Sequence, residues 1–403
     1  MKTVRFFFYI IVVLLFYGCS SNKYLTPQKY GAKANGETDC TASIREMLRK
    51  MKSGKIHKAK FPDGVYLISD SIIIDFPCRI TGSKATIITK DTLIGKYAFK
   101  YTLSPKGQFQ PNKERSELSL NFKIHGVPVA FHGYNNMYIH DCTISTFTGT
   151  DTYYKNTKFW FAIDCDRFFD ATFKRIHFDQ PVNYKENQFN SADGLHITGL
   201  CNNILIDGCD GHTGDDFIAL NANENTPGDI YDITIRNCNI GSDTISKNGI
   251  RIYGGHKKRN LSISNILIEK CKIKTDNSPC IYITNSANGV FDANNQFLTV
   301  KDLTVRNCQF VSPKYELASN DYPSIIRIGG VIGDNLSFEN IKGFANSYRL
   351  SYFINVLKDN DLKNVKLHKC SMTGRNSLQF EKVNPKVVTH ELILNKCKII
   401  KDD

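Results

Sequence analysis

One phrase of apolar and polar positions returns along most of the chain: apolar, any, apolar, two polar residues, Cys or a substitute, polar, apolar. It reads Met137-Tyr138-Ile139-His140-Asp141-Cys142-Thr143-Ile144, and again Ile233-Thr234-Ile235-Arg236-Asn237-Cys238-Asn239-Ile240. Further copies surround Cys271, Cys308, Cys370 and Cys397, and Ile204-Leu205-Ile206-Asp207-Gly208-Cys209 is another. His177 and Ile341 are read in the Cys place of two more. The copies stand 27 to 37 residues apart. Alternation within each phrase has a period of two, which predicts a strand with one buried face. The Asn- and Gly-rich pieces between copies predict turns. Helical periodicity is nearly absent after residue 53. Strands repeated at this period without intervening helices predict an all-β parallel β-helix, a solenoid gaining about 4.8 Å per coil.

The first coil has a legible entrance. Ile44, Met47, Leu48 and Met51 fall on one helical face within 41–52. Ser43 with Glu46 fits a capping box, with Asp39 as the alternative cap. A helix here would cover the open strand edges of the first coil, which otherwise invite aggregation. Phe61-Pro62-Asp63-Gly64 reads as a turn into the first strand, Val65 to Ile68. Residues 95–120, 148–160, 287–298 and 312–323 are expected as loops bulging from the coils.

Composition adds the compartment. Lys2 and Arg5 precede an apolar run from Phe6 to Tyr17 that ends at Gly18-Cys19-Ser20-Ser21. A charged start, a short apolar core and a small residue before the cut predict a secretory leader. The run is short for a bilayer span. Cys directly after Gly18 resembles a bacterial lipoprotein signal, although Phe16 stands where that pattern usually has Leu. It implies cleavage before Cys19 and a lipid anchor there, in the cell envelope. The expected organisation is a leader over 1–18, a tether over 19–29 and one catalytic β-helix over 30–403. Without 1–18 the net charge falls from +13 to +11. A basic, exported protein favours acidic polysaccharide over nucleic acid as partner. With 41% hydrophobic and 23% charged residues the chain has an ordinary folded composition. It is expected to act as a monomer.

Of the 13 cysteines, seven sit at one place in the repeat. No C-x-x-C pair is present, and a long solenoid does not need staples. The spacing therefore favours a ladder of small buried thiols over disulfides or a metal site.

A second recurring strand carries the chemistry. Leu195-His196-Ile197, Ile218-Ala219-Leu220, Ile250-Arg251-Ile252, Ile281-Tyr282-Ile283 and Ile326-Arg327-Ile328 align, with apolar residues inward. Alternation then sends His196, Ala219, Arg251, Tyr282 and Arg327 outward in one column. Just before it stand Asp193, Asp216 and Asn248, with Asp215 one residue earlier. Either aspartate motif alone is a common turn sequence. Their convergence on adjacent coils predicts a groove in which acids cut, arginines hold carboxylates and Tyr282 stacks on a sugar ring.

The chain resembles glycoside hydrolase family 28, the polygalacturonase-like right-handed β-helices. Asn190-Ser191-Ala192-Asp193-Gly194 is similar to that family's Asn-Thr-Asp-Gly with one residue added, and Gly214-Asp215-Asp216 to its Asp-Asp motif. Arg251-Ile252-Tyr253 resembles its Arg-Ile-Lys with Tyr for Lys, while Gly-His-Gly has no counterpart. The resemblance implies inverting hydrolysis of an acidic, pectin-like or otherwise uronate-containing glycan. Asp215 would be the general acid, and Asp193 with Asp216 would activate water. His196, Arg251, Tyr253, Tyr282 and Arg327 would bind substrate, and His196 or His212 would replace the missing His. An inverting pair is expected about 6.5–9.5 Å apart. No cofactor or metal is expected. One alternative is a lyase or epimerase on the same scaffold, with Ca²⁺ on Asp193, Asp215 and Asp216 and Arg251 as base. The other is a non-catalytic glycan-binding envelope protein.

Overall fold

The structure is a computed structural model. It describes residues 23–401 except 90–96, 104–112, 125, 147–160, 181–191, 225, 243–245, 247, 255–259, 277, 286–297, 313–322, 348, 358–359, 376 and 384–388. The leader and Cys19 lie outside the described residues, as do nearly all of 148–160, 287–298 and 312–323.

The strands stack in parallel into a β-helix with three ladders. The first ladder includes Leu195–Thr198, Ile218–Asn221, Ile250–Tyr253, Ile281–Thr284 and Ser324–Gly329 in unbroken register. The second includes Asn202–Asp207, Ile230–Arg236, Leu261–Glu269 and Leu298–Arg306. The third includes Asp210–His212, Asn239–Ile240, Lys272–Lys274 and Gln309–Val311. Val127–Thr146 and Ile163–Asp179 each run through all three ladders as one bent strand.

The bends explain the phrase. The residue just before each ladder thiol is left-handed: Asp141, Asn237, Lys270, Asn307, Lys369 and Lys396 have φ between 51° and 56°. Gly208 takes the same turn at φ 69°. A second left-handed column is formed by Asn136, Asp170, Asn203, Asp232, Asn265, Asp302, Asn335 and Asn364. Asx residues tolerate this region because their side chains bond locally. Here they also bond to the next coil, as in Asn203 Nδ2 to Asp170 Oδ1 at 2.6 Å and Asn335 Nδ2 to Asp302 Oδ1 at 2.6 Å.

Ile, Leu, Val and Phe from all three ladders fill the interior, most of them under 2% exposed. Each such side chain contributes about 1.5–3 kcal/mol of burial. The described cysteines all carry free thiols, and all but Cys397 are buried. Burial pushes the Cys142, Cys280 and Cys370 thiols up to about 12, so they are inert. The ladder position in Ile163–Asp179 belongs to Ile176, which pairs with Cys142, and His177 is one residue past it. His177 faces out and reaches Asp210 Oδ1 at 2.8 Å.

Helix α1, Thr41–Ser53, closes the N-terminal end and buries Ile44, Met47, Leu48 and Met51. Its first amide, Thr41 N, donates to Asp39 Oδ1 at 2.9 Å. The Ser43–Glu46 box does not form, because the helix begins two residues before Ser43. Glu46 instead holds Arg49 at 2.6 Å. The expected tether is in part bonded to the first coil: Leu25 N donates to Lys58 O, and Lys60 N to Leu25 O, both at 2.9 Å. The loop expected over 95–120 contains two strands of the stack, Tyr97–Tyr101 and Ser116–Ile124. In the second, Leu118, Leu120, Phe122 and Ile124 alternate inward, a pattern that the Cys-centred phrase does not mark.

Candidate active site

Two glycines bring the acids together. A Cβ on Gly194 would stand 2.7 Å from Phe217 O, and one on Gly249 2.3 Å from Cys280 O. Without side chains, adjacent turns close to hydrogen-bonding distance. Gly194 N donates to Asp216 O at 2.9 Å and Phe217 N to Gly249 O at 2.9 Å. Asp193, Asp216 and Asn248, each next to one of these contacts, therefore stack on successive coils.

One carboxylate oxygen from each of Asp193, Asp215 and Asp216 lies within 4.8 Å of the other two. Asn248 Nδ2 donates to Asp215 Oδ1 at 2.6 Å and to Asp216 Oδ1 at 3.0 Å, clamping that pair side by side. Asp193 Oδ1 accepts from Asp216 N at 3.1 Å. Asp193 and Asp216 are buried, whereas Asp215 is half-buried and the reachable member. Burial raises the Asp216 carboxyl to about 8; the nearby Asp215 and Asp193 charges add to the rise, and Arg251 opposes it. Arg251 Nη1 stands 3.5 Å from Asp216 Oδ2.

The outward column has the expected register, His196 to Ala219 to Arg251 to Tyr282 to Arg327. Its exposure differs from expectation. His196 is 2% exposed, with Phe161 stacked on it at 3.6 Å and 5°. Its Nδ1 lies 2.7 Å from Asp193 Oδ2, and its Nε2 3.0 Å from Glu224 Oε2. Burial works against its charge, but bonds to Asp193 and Glu224 outweigh burial and raise it to about 10. His196 is thus a buried imidazolium that positions Asp193 and is shielded from substrate. Arg327 is 6% and Tyr253 2% exposed, so both are packed rather than open to a ligand. Tyr253 supports the Arg251 guanidinium, 4.5 Å above its ring. Tyr282 sits between Arg251 and Arg327, at 5.6 and 5.7 Å. The half-buried members are Arg251 and Tyr282. His212 lies on the third ladder and reaches Asp179 Oδ1 at 3.6 Å rather than the acids.

Glu224 and Phe161 escaped the sequence reading. Neither belongs to a repeat phrase, and only the turn composition of Asn223-Glu224-Asn225-Thr226-Pro227-Gly228 marks the segment that covers His196. Thr226 pins that segment, its N and Oγ1 each donating to Asp166 at 3.1 Å.

Three close carboxylates are also a donor set for a hard cation. Here Asp193 already carries the His196 imidazolium, and Asp216 faces Arg251. The trio's counter-charges are side chains, which disfavours a further dication.

Parallel coils with clustered acids beside an arginine on one face define a parallel β-helix with a candidate acid/base site. The family model for glycosyl hydrolases family 28 matches residues 133–390, and the chain belongs to that family. No curated protein matches the sequence. Among solved structures, the catalytic domain of a GH87 α-1,3-glucanase is 14% identical, with 95% of this chain and 66% of that one covered and a TM-score of 0.62. The family 28 exopolygalacturonase of Yersinia enterocolitica is 11% identical over 94% of this chain and 78% of its own, at 0.52. The surface adhesin PfbA of Streptococcus pneumoniae is 12% identical over 93% of this chain and all of its own, at 0.51. At these identities the likeness is one of fold.

Proposed function

We propose that the protein hydrolyses glycosidic bonds of an acidic, uronate-containing polysaccharide, outside the cytoplasm where a leader over 1–18 would deliver it. The carrying observation is the clamped Asp215–Asp216 pair beside Asp193, in a chain of a glycosyl hydrolase family. Burial, with the Asp215 and Asp193 charges beside it, raises Asp216 to about 8, so the site keeps a proton near neutrality, as a general acid requires. Such a proton belongs to the pair rather than to one residue. Asp215, the reachable member, presents it to the leaving oxygen. Asp216 is then a proton-holding partner, not a base. Asp193, the counter-ion of His196, draws the proton from the attacking water. Arg251 offers its guanidinium to a sugar carboxylate while restraining the Asp216 proton.

One oxygen from each acid lies within 4.8 Å of one from each of the other two, a tighter cluster than an open inverting pair, whose carboxyl groups stand roughly 6.5–9.5 Å apart. Water would therefore approach over the trio rather than between two carboxylates. Inversion remains the reading, as membership of glycosyl hydrolases family 28 implies. The test is a panel of acidic polysaccharides followed by reducing-sugar release and ultraviolet absorbance. Hydrolysis gives reducing ends without absorbance and is indifferent to a chelator. Unsaturated, absorbing products lost on chelation would replace this reading with a lyase.

A further inference from the structure

Lys55, His57 and Lys58 stand in one basic stretch of the sequence, and the fold brings Arg79 and Arg115 to it. Lys55, His57, Lys58, Arg79 and Arg115 converge on a cavity of about 510 Å³ near the N-terminal end of the solenoid. Pro77, Cys78 and Glu114 complete its lining. Lys58 and Arg79 occupy paired positions on neighbouring strands, so their charges stand on consecutive rungs. Arg115 is held over the Tyr138 ring at 4.6 Å. Negative charge is sparse: Glu114 lies 3.8 Å from His57, and Glu117, outside the lining, 4.0 Å from Arg79. Among the described residues neither Lys55 nor Lys58 enters an ion pair. Four full positive charges thus face one lining acid, and self-repulsion makes the cleft a standing attraction for anions.

The chemistry of the lining narrows the ligand. Arg79 and Arg115 carry planar forks suited to carboxylate. The charges line a concave cavity, which a rod-like chain can enter and a flat bilayer cannot. Four rungs separate Arg79 from Leu205, on the coil of Asp193, about 19 Å along the axis. That distance places the cleft off the carboxylate site. We propose that this cleft is a second, non-catalytic glycan site, which grips a carboxylate-bearing stretch of polysaccharide and holds the protein on it. Linking two weak contacts on one chain raises avidity without altering either contact.

The test is retention of the full chain on immobilised polygalacturonate, with neutral dextran as control and anionic phospholipid vesicles as a separate arm. The double variant Lys55→Gln/Lys58→Gln is expected to weaken retention on polygalacturonate at low salt by about tenfold. Arg115→Gln, at another lining position, should weaken it in the same direction. Both variants should keep wild-type melting behaviour, dextran should retain nothing, and turnover of short soluble oligosaccharides should be unchanged. Equal retention of wild type and variants overturns the proposal. So does binding to the vesicles that the variants lose while polygalacturonate retention stays. Retention needs no turnover, so failure of the hydrolase reading leaves this result interpretable, and loss of short-substrate turnover in the variants would deny the cleft its separate role.

Discussion

Changing Glu224 to Gln removes one of the two anions that keep His196 charged. The pair is 3.0 Å apart, with side chains 2% and 25% exposed for His196 and Glu224, so screening is limited. A hydrogen bond to a charged group contributes about 1.5–3 kcal/mol, and one pKa unit is about 1.4 kcal/mol. His196 should therefore fall from about 10 by roughly one to two units. The sign for stability follows from the direction. A histidine raised above its ordinary 6.5 contributes stability that is complete below that value and is lost as pH rises through the folded one. The variant should be less stable than wild type by about 1.5–3 kcal/mol at pH 6, and the gap should close as pH approaches 10. Imidazole titration by NMR and urea unfolding at several pH values measure both. An unshifted His196 in the variant would refute the buried imidazolium, as would a wild-type His196 titrating near its ordinary value or a stability gap independent of pH.

Other consequences are direct. Arg251→Gln removes the charge that opposes protonation of Asp216, so the alkaline limb of the kcat/KM profile should move above its wild-type position near pH 8; an unmoved or lowered limb contradicts the pairing. Gly194→Ala drives a Cβ to 2.7 Å from Phe217 O and should destabilise by about 1–3 kcal/mol, the range for overpacking, lowering Tm; an unchanged Tm denies the close approach. Because the described cysteines are free and most are buried, a thiol reagent should label native protein slowly and reductant should leave Tm unchanged; a reductant-sensitive Tm would reveal disulfides.

Period-two alternation located the rungs, because an interior shared by many coils repeats its demands at each one. Even the register of His196, Ala219, Arg251, Tyr282 and Arg327 followed from aligning Ile-x-Ile phrases. The left-handed residue before each ladder position was visible only as a polar place, since Asp141, Asn237 and Lys270 share a conformation rather than a chemistry. What covers the column was hidden for a different reason. Glu224 and Phe161 come from segments between the phrases, where no periodicity constrains them, and they turn His196 and its surroundings from groove surface into support. The basic cleft was hidden likewise, since Lys58, Arg79 and Arg115 are neighbours only once the first coils stack. Ile176, not His177, holds the ladder place because a one-residue shift exchanges the inward and outward faces.

The most direct measurement of the central claim is made on Asp215→Asn with the acidic polysaccharide that wild type degrades. Release of reducing ends should fall by at least about 100-fold, the lower range for losing a general acid, while calorimetric affinity for the same glycan stays within about threefold and Tm is retained. Wild-type turnover by that variant would contradict the assignment of the acid and, with it, the carboxylate trio as the site of hydrolysis.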